Sequence, residues 1–323
     1  MTEKLKKQKH IKNLKNGDIV DDIFVINSKI PVQDYKKGYR FELRIGDSSG
    51  EMTLKFWGND DKNFVENIYN SIKKDDIIYV KGIIKEFNNN LEISINNPED
   101  MKICKNEEYD LSEFILTSKR NIEEMFNEIK NIIQTIQDST LRKILDSFFS
   151  DEVFVKEFKT SPGAMYKHHG WIGGLLEHTL NVVNICQKIC EIHKDIDKDL
   201  LLTGAILHDI GKIKEFEIIS SIKRNKLGNL KGHIILGLEL LTEKLKELNI
   251  KEEYAIKLVH ILLSHHGKLE FGSPVPPIFP EALAVFYADN MDAKLTQMIS
   301  SKEDAITEED FIYTKDFGNI YLK

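Results

Sequence analysis

The chain is short of the features that mark secreted and membrane proteins. Only 3 of its 323 residues are cysteine, too few for a disulfide framework, so a reducing compartment is expected. The N-terminus has no apolar segment of the kind that directs secretion, and no apolar run is long enough to cross a bilayer. We therefore predict a cytoplasmic location and no membrane partner.

The chain also lacks a surplus of positive charge. Its formal net charge is −7, so the whole molecule does not attract polyanions and any nucleic-acid site has to be a local patch. Hydrophobic residues make up 41% and charged residues 30%, which is typical of ordinary globular domains. A chain of 323 residues is expected to form two or three domains.

Alternation with a period of two runs through residues 17–104 and predicts a β-rich first domain. The apolar members of the pattern lie on both sides of a turn at residues 46–50: Tyr39, Phe41, Leu43 and Ile45 before it, and Met52, Leu54 and Phe56 after it. This predicts a hairpin with one buried and one open face. A helical stretch near residues 61–71 follows, then strands near 77–85 and 91–95. This is the element order of an OB-fold barrel.

The open face of the predicted sheet mixes cations with aromatic rings. Such a surface suits the phosphates and stacked bases of a single strand, although a plain solvated sheet face would give the same pattern. The predicted nucleic-acid contacts are Arg40, Arg44, Lys55, Trp57 and Lys81, with Phe87 as a further candidate.

Helical periodicity replaces the alternation after residue 105. Apolar residues recur at steps of three and four, and from about residue 160 the whole pattern is helical. We predict a multidomain α+β protein with an N-terminal OB-fold β-barrel followed by an all-α domain. Its parts are the OB-fold domain at residues 1–105, a helical connector at 106–150, the all-α domain at 151–310 and a C-terminal tail at 311–323.

An adjacent His208-Asp209 pair lies in the most apolar stretch of the chain. Residues 200–212 predict a buried helix, and an ionised aspartate there is costly unless a cation compensates it. Alone, the pair is more typical of a core histidine with a satisfied partner. The histidines and aspartates further along the chain favour a metal instead.

Five histidines and two aspartates fall at inward or terminal positions of five successive predicted helices. Imidazole and carboxylate without thiolate suit a catalytic Mn, Fe, Co, Ni or Zn ion rather than a closed structural zinc site. Seven ligands exceed the needs of one ion that keeps positions open for substrate, whereas two ions bridged by one carboxylate would use them all. The set is His178, His208, Asp209, His233, His265, His266 and Asp289.

The order of a histidine, a His-Asp pair and a late aspartate resembles the HD superfamily of metal-dependent phosphohydrolases. The three later histidines resemble those of its two-metal members. The resemblance implies one ion held by His178, His208, Asp209 and Asp289, and a second held by Asp209, His233, His265 and His266. Asp209 would then be the bridging ligand, and Asp292 is a reserve ligand one turn after Asp289.

Longer sequence motifs indicate a particular family within this superfamily. Residues 169–179 read His-Gly-Trp-Ile-Gly-Gly-Leu-Leu-Glu-His-Thr, residues 232–234 read Gly-His-Ile, and residues 271–277 read Phe-Gly-Ser-Pro-Val-Pro-Pro. With an OB-like domain in front, they resemble the YhaM family of 3′-to-5′ exoribonucleases of Gram-positive bacteria, which also act on single-stranded DNA. The resemblance implies hydrolysis of single-stranded RNA by two divalent ions and an activated water. Mn²⁺ is the first expectation, Fe, Co, Ni and Zn are alternatives, and a homo-oligomer is left open.

Three residues near the predicted ligands are candidates for the chemistry. Asp209 is one of them, as the bridging ligand. Lys212, one turn further on, could contact a phosphate oxygen as a point charge, or it could be a solvated helix end. His169 matches the family phrase and is a candidate for phosphate contact or acid catalysis, whereas His168 is expected on the surface.

Two surface segments complete the candidates. Lys223 and Arg224 belong to a basic loop upstream of His233 that could guide a polyanion or could simply be solvated. The proline-rich segment at residues 272–280 is too long and apolar for an idle linker. If this segment forms one wall of the active-site cleft, only the end of a nucleic-acid strand could enter. Such a wall favours exonuclease over endonuclease action.

Two other functions stay open at the level of sequence. One is an HD phosphohydrolase acting on free nucleotides or cyclic dinucleotides, and the OB-like domain counts against it because such an enzyme has no use for a strand-binding surface. The other is a nucleic-acid-binding regulator whose hydrolase domain is inactive. The presence of all seven expected metal ligands counts against it.

Overall fold

The computed structural model describes residues 4–88, 90–105, 107–110, 113–165, 169–219, 221–303, 305, 307 and 309–323. His168, expected on the surface, lies outside them. The chain divides into two compact units, the first formed by Met1–Leu116 with Ile218–Ser221 and the second by Thr117–Glu217 with Ile222–Lys323. The domain boundaries that we placed at residues 105, 150 and 310 stay a prediction.

Strand pairing defines the architecture of the first unit. Its main elements are β1 (Ile19–Tyr35), β2 (Gly38–Asp47), β3 (Gly50–Trp57), α1 (Lys62–Ser71), β4 (Ile77–Phe87), β5 (Asn90–Ile95) and β6 (Met101–Ile103). β1 pairs antiparallel with β2, and β2 pairs antiparallel with β3. β3 pairs in parallel with β5, and β4 pairs antiparallel with both β5 and β1. This is the strand arrangement of an OB-fold, and it confirms the predicted class.

The alternating residues of the first hairpin fill the interior of this sheet. Phe41, Leu43 and Ile45 of β2 are almost fully buried, as are Leu54 and Phe56 of β3. The rings of Phe41 and Phe56 stack with their centroids 4.9 Å apart. The buried face of the predicted hairpin is therefore the core of the first unit.

The second unit is mainly helical. Its elements are α2 (Ile122–Thr135), α3 (Ser139–Phe149), α4 (Glu152–Thr160), α5 (Gly174–Ile192), α6 (Lys198–Leu207), α7 (Lys212–Glu215), β7 (Phe216–Ile218), β8 (Ile222–Arg224), α8 (Lys226–Glu247), α9 (Glu252–Ser264), α10 (Pro280–Glu303), β9 (Phe311–Thr314) and β10 (Gly318–Tyr321). The strands form two short hairpins, β7 with β8 and β9 with β10, that the helical pattern did not predict. Within the described ranges, no helix is both long enough and apolar enough to span a bilayer.

Helix α6 lies at the centre of the helical core, and every residue from Leu200 to Leu207 is buried. The helix ends there instead of continuing to Lys212 as predicted, and a turn precedes α7. The turn passes close to α8, because a Cβ on Gly211 would lie 1.9 Å from the backbone oxygen of His233. This close approach brings the His208-Asp209 pair beside the histidine of α8.

Candidate metal centre

The seven predicted ligands converge inside the second unit. The contributing segments are α5 with His178, the turn after α6 with His208 and Asp209, α8 with His233, the turn after α9 with His265 and His266, and α10 with Asp289. Their donor atoms form two clusters, each within 4.8 Å: His178, His208, Asp209 and Asp289 in the first, and His233, His265 and His266 in the second. We call these the His178 cluster and the His233 cluster.

Asp209 lies between the two clusters. Its Oδ2 is 3.3 Å from Nε2 of His208 and 3.5 Å from Nε2 of His178. Its Oδ1 is 3.4 Å from Nε2 of His265 and 3.5 Å from Nε2 of His233. One buried carboxylate thus turns one oxygen to each cluster, which is the arrangement that a bridging ligand requires.

Four of the five imidazoles form a hydrogen bond at Nδ1. The acceptors are the backbone oxygens of Ala205 for His208 (2.8 Å), Leu262 for His265 (2.7 Å) and Phe271 for His266 (3.0 Å), and the carboxylate of Asp292 for His178 (2.6 Å). Nδ1 of the fifth, His233, lies 3.2 Å from a carboxylate oxygen of Glu215 without forming a hydrogen bond. An acceptor at Nδ1 holds a proton there and leaves Nε2 as the nitrogen that can bind a cation.

The spacing of these Nε2 atoms fits a metal. Those of His178 and His208 are 3.3 Å apart, and those of His233 and His266 are also 3.3 Å apart. Lone pairs that face each other at this distance repel, and a cation between them replaces the repulsion with coordination. Oδ1 of Asp209 is buried and accepts no hydrogen bond from the described residues. Nitrogen and oxygen donors of this kind suit a divalent transition metal.

Most of the protonation states resolved at the site suit a cation, and His178 is the exception. Burial alone would lower the pKa of His178, but Asp209, Asp289 and Asp292 raise it well above its usual value, so this imidazole has to release a proton before it can bind a metal. Burial alone would raise the pKa of Asp209, but Lys212 and the neighbouring histidines lower it well below its usual range. Burial likewise opposes ionisation of Asp289, and the contact with His178 more than offsets it, so that its pKa is lowered too. Burial lowers the pKa of His266 to about 4. Ionised carboxylates and a neutral imidazole are the forms that bind metal.

Asp292, the predicted reserve ligand, lies behind His178. Its Oδ2 accepts a hydrogen bond from Nδ1 of His178 at 2.6 Å and is 2.8 Å from Nε2 of His169, while its Oδ1 accepts one from Asn181 at 2.9 Å. The donor atoms of Asp292, His169 and His178 also lie close enough to surround an ion. Contacts of 2.6 and 2.8 Å are direct hydrogen bonds and favour a role for Asp292 in orienting His178. The role of Asp292 as a reserve ligand stays a prediction.

His169 does not lie where a phosphate contact or an acid catalyst would. Its side chain is 1% exposed, Nε2 contacts Asp292, and the hydroxyl of Thr296 is 3.3 Å from the same nitrogen. Burial lowers the pKa of this imidazole. The ring lies against His178, with the two ring centroids 5.2 Å apart, and both imidazoles contact Asp292 of α10. The geometry supports a positioning role in place of the predicted catalytic one.

Lys212 and Arg224 are both tied to buried carboxylates. Nζ of Lys212 lies 2.5 Å from Oδ2 of Asp209 and its side chain is buried, so the solvated helix end is excluded. Nε of Arg224 lies 2.9 Å from Oε1 of Glu215 while the rest of its side chain is half exposed. Lys223 precedes it in β8 and is partly exposed.

Glu215 is a functional residue that the sequence reading missed. It is 1% exposed and contacts Nδ1 of His233 and the Arg224 guanidinium. In the sequence it follows Lys212-Ile213-Lys214, which reads as an ordinary charged surface turn. Only the folding of β8 and α8 over α7 reveals that this carboxylate points inward.

The predicted nucleic-acid contacts of the first unit differ in their partners. The paired cations are Arg40 with Glu42 (2.6 Å) and lying over Trp57, Lys55 with Glu92 (2.5 Å) and lying over Phe87, and Lys81 with Asp21 (3.4 Å). Arg44 is exposed and has no ion pair within the part of the chain that the structure describes. Arg44 is therefore the cation of this group most available to a phosphate.

Comparison with known proteins matches both units. The HD domain family matches residues 175–294, and the family described as OB-fold nucleic acid binding domain matches residues 25–101. The 3′-5′ exoribonuclease YhaM of Bacillus subtilis (strain 168) is 32% identical over 283 residues, which is 87% of each chain. The protein of the same name from Listeria monocytogenes serotype 4b (strain CLIP80459) is 31% identical over 291 residues, which is 90% of each chain.

A likeness to solved structures is weaker. The HD domain of the phosphodiesterase PgpH from L. monocytogenes aligns with a TM-score of 0.29 and 18% identity, over 52% of this chain and 80% of that one. A likeness this low carries no argument about function. All seven candidate ligands, together with Asp292, lie inside the residues that match the HD domain family.

Proposed function

The chain belongs to the YhaM family, and on that premise we propose that it is a metal-dependent 3′-5′ exoribonuclease acting on single-stranded RNA. The observation that carries the proposal is the Asp209 carboxylate, which turns one oxygen to each of two histidine clusters. An arrangement of this kind suits two cations that share one ligand. The relatives match the chain over both its OB-fold and its HD region.

The chemistry divides between the ions and the protein. When bound, two divalent ions would neutralise the scissile phosphate and lower the pKa of the water that attacks phosphorus. The proposed ligands are His178, His208, Asp209 and Asp289 for one ion and Asp209, His233, His265 and His266 for the other. The protein orients the imidazoles through their Nδ1 bonds and keeps Asp209 ionised. Lys212 adds a fixed positive charge beside that carboxylate.

The finer features of the proposal concern the ion, the substrate and the location. Mn²⁺ is the first candidate ion, as the resemblance to the family implies, and the nitrogen and oxygen donors are equally compatible with Fe, Co, Ni and Zn. Single-stranded DNA is a second candidate substrate, and the cytoplasm is the proposed location. Arg40, Arg44, Lys55, Trp57 and Lys81 are proposed to contact the strand, together with Lys223 and Arg224.

The two rival functions have less support. An enzyme for free nucleotides or cyclic dinucleotides would not need the region that matches an OB-fold nucleic acid binding domain. A regulator with a silent hydrolase half would not need five imidazoles with their Nε2 atoms gathered around two carboxylates. An enzyme that hydrolyses a nucleic-acid strand would need both the OB-fold region and the two histidine clusters.

The decisive experiment compares the natural protein with Asp209→Asn on a 5′-labelled oligoribonucleotide in the presence of Mn²⁺. We expect the natural protein to give a ladder that shortens from the 3′ end and to stall on a 3′-blocked substrate. Asp209→Asn is expected to remove turnover while binding of the RNA persists. The matched control is Asp195→Asn, since Asp195 is an exposed aspartate outside the set of candidate ligands.

Two outcomes would overturn the proposal. One is turnover in Asp209→Asn close to that of the natural protein, which would remove the bridging role. The other is efficient cleavage of a cyclic dinucleotide or a nucleoside triphosphate with no action on the oligoribonucleotide, which would favour the small-molecule enzyme.

A further inference from the structure

A row of apolar side chains on α10 faces solvent. The row consists of Leu283, Tyr287, Met291, Leu295 and Ile299, and each side chain is between 44% and 56% exposed. The members are four residues apart, so they form one continuous ridge on the helix surface. We call it the α10 ridge. On the opposite side of the same helix Ala282, Val285 and Ala288 are buried in the core of the second unit.

The α10 ridge has the composition of an interface core rather than of an ordinary surface. Between residues 283 and 299, Lys294 is the one charged residue that is exposed, and a depletion of charge is what distinguishes the centre of an interface. A helix that is apolar on two faces is normally covered on both. One face of α10 is buried in its own unit. On the other face the ridge residues stay about half exposed, although Phe317 lies beneath Lys294 and Asp316 bonds to Gln297 beside the ridge.

We propose that the α10 ridge is the contact surface between two copies of this chain. The ridge residues are evenly spaced, so a two-fold axis at Met291 would set Tyr287 opposite Leu295 of the other copy and Leu283 opposite Ile299. Every pair across such an axis is apolar, as an isologous interface built on this ridge requires. Rows of residues spaced by four pack into one another in the commonest class of helix contact.

The exposed area is sufficient for such a contact. At about half exposure each side chain contributes about 100 Å², so two copies would bury about 1,000 Å² of apolar surface, which reaches the size expected of a specific interface. A solvent-exposed patch of about 500 Å² on one copy lies at the upper end of what monomeric proteins show. Pairing of the ridges removes that patch from water.

The proposed contact lies behind the metal centre and is independent of the catalytic proposal. Asp289 and Asp292 project from other sides of α10, toward the second unit's interior. Pairing through the ridge therefore gives a particle with two candidate metal centres, one in each copy. Because the test measures mass, a failure of the proposed exonuclease activity would leave its result unaffected.

The first test measures the mass of the full-length protein by size-exclusion chromatography with light scattering over a range of concentrations. We expect the natural protein to have the mass of two chains of 37.3 kDa each, and Met291→Arg to have the mass of one. Ile192→Arg is the matched control, since Ile192 is 73% exposed at the end of α5 and the variant should remain a dimer. A monomeric natural protein, or a dimeric Met291→Arg, would overturn the proposal.

A second test does not depend on how well the arginine variant folds. In a Cys190→Ser background, Met291→Cys places one thiol at the two-fold axis, and oxidation should give a covalent dimer. Leu283→Cys should give none, because its counterpart on the other copy is Ile299. Equal cross-linking at both positions, or none at residue 291, would contradict the proposed axis. Protection of the introduced thiol in a monomer would also contradict the proposal, since another part of the same chain would then cover the ridge.

Discussion

The hydrogen bond at Nδ1 decides what each histidine of the metal centre can do. Three of the five imidazoles bond to backbone carbonyls one turn or a short loop away, His178 bonds to the carboxylate of Asp292, and His233 has the carboxylate of Glu215 3.2 Å from its Nδ1. A carboxylate at this position raises the basicity of the imidazole and fixes the plane of its ring. The two carboxylates therefore tune one histidine in each cluster.

At the residue scale we predict that Asp292→Ala weakens metal binding or activity by about 10–100-fold, as loss of an outer-shell partner typically does. Asp292→Asn should retain more of both, because the amide oxygen can still accept the proton from Nδ1 of His178. Calorimetric titration of the metal-free protein with Mn²⁺ measures the affinity. A loss of one whole ion in Asp292→Asn, with the exposed Asp195→Asn unchanged, would mean that Asp292 is itself a ligand.

How far the sequence predicts this site depends on how each residue stands out from its neighbours. The seven ligands could be identified because histidine and aspartate are unusual among the leucines and isoleucines of buried helices. Glu215 could not, since a glutamate beside lysines is typical of solvent. The contact of Asp292 with His178 could not be predicted either. The packing of α5 against α10 decides which nitrogen of His178 lies next to the Asp292 carboxylate.

At the scale of the element, the contact between the turn before α7 and helix α8 is the tightest near the site. A Cβ on Gly211 would lie 1.9 Å from the backbone oxygen of His233 and 2.4 Å from the nitrogen of Gly237. Backbone atoms cannot move aside as a side-chain end can. The position of His233 is therefore set by the absence of a side chain at residue 211.

We expect Gly211→Ala to lower the free energy of unfolding by about 1–3 kcal/mol, the usual range for overpacking. It should also weaken metal binding at the His233 cluster more than at the His178 cluster. Urea unfolding measures the first effect and metal titration the second. In the control Gly204→Ala the nearest atom is Cδ1 of Ile261, a flexible side-chain end, so its loss should be smaller. Equal losses would contradict the argument.

A helix cap in the second unit gives a pH-dependent prediction. Asp138 accepts hydrogen bonds from the amides of Thr140 and Leu141 at the start of α3 and from the hydroxyl of Tyr254 at 2.5 Å. Burial would raise its pKa, but the bonds from Tyr254 and the two amides lower it overall. A carboxyl with a lowered folded pKa stabilises the protein above its unfolded pKa, about 3.9.

Asp138→Ala should therefore lower the free energy of unfolding at neutral pH by about 0.5–2 kcal/mol. The difference between the natural protein and the variant should shrink as the pH falls below about 4, because the carboxyl of Asp138 then protonates. Urea unfolding followed by circular dichroism at several pH values tests this. A difference that stays constant down to the most acidic condition would mean that the charged form is not the one that stabilises the fold.

Elements were predictable where they are long. The OB-fold hairpin and the helices show many periods of their pattern, whereas β7 and β8 have three residues each and β9 and β10 have four. Strands of that length do not complete enough alternations to be distinguished from a loop or a tail. The end of α6 at Leu207 was missed for a different reason, since the apolar run continues through Ile210 although the helix does not.

For the molecule as a whole, the net charge of −7 means that binding of a nucleic-acid strand depends on a few local cations. Most of those predicted in the first unit are neutralised by a neighbouring carboxylate, and Arg44 is the exception among them. The domain order could be predicted from the change of periodicity after residue 105. The pairing of Lys55 with Glu92 and of Lys81 with Asp21 could not, because it joins residues on different strands.

Replacing Arg44 with alanine should weaken binding of single-stranded RNA and reduce the slope of log affinity against log salt by about 0.7, the value for one lost phosphate contact. Lys81→Ala should change the slope less, since Lys81 already pairs with Asp21. Fluorescence anisotropy with a labelled oligoribonucleotide measures both, with Asp209→Asn as the background to prevent degradation. An unchanged slope in Arg44→Ala would exclude this arginine from the contact surface.

The single carboxylate between the two clusters also has a thermodynamic consequence. If both positions draw on Asp209, occupation of either one withdraws electron density and charge from the other, and the coupling is equal in both directions. Loading should therefore not follow two superimposed, independent isotherms, and the stoichiometric points should separate as the metal concentration rises. In such a molecule the second ion would bind more weakly than the first, so full assembly of the centre would need a higher ion concentration than the affinity of the first position implies.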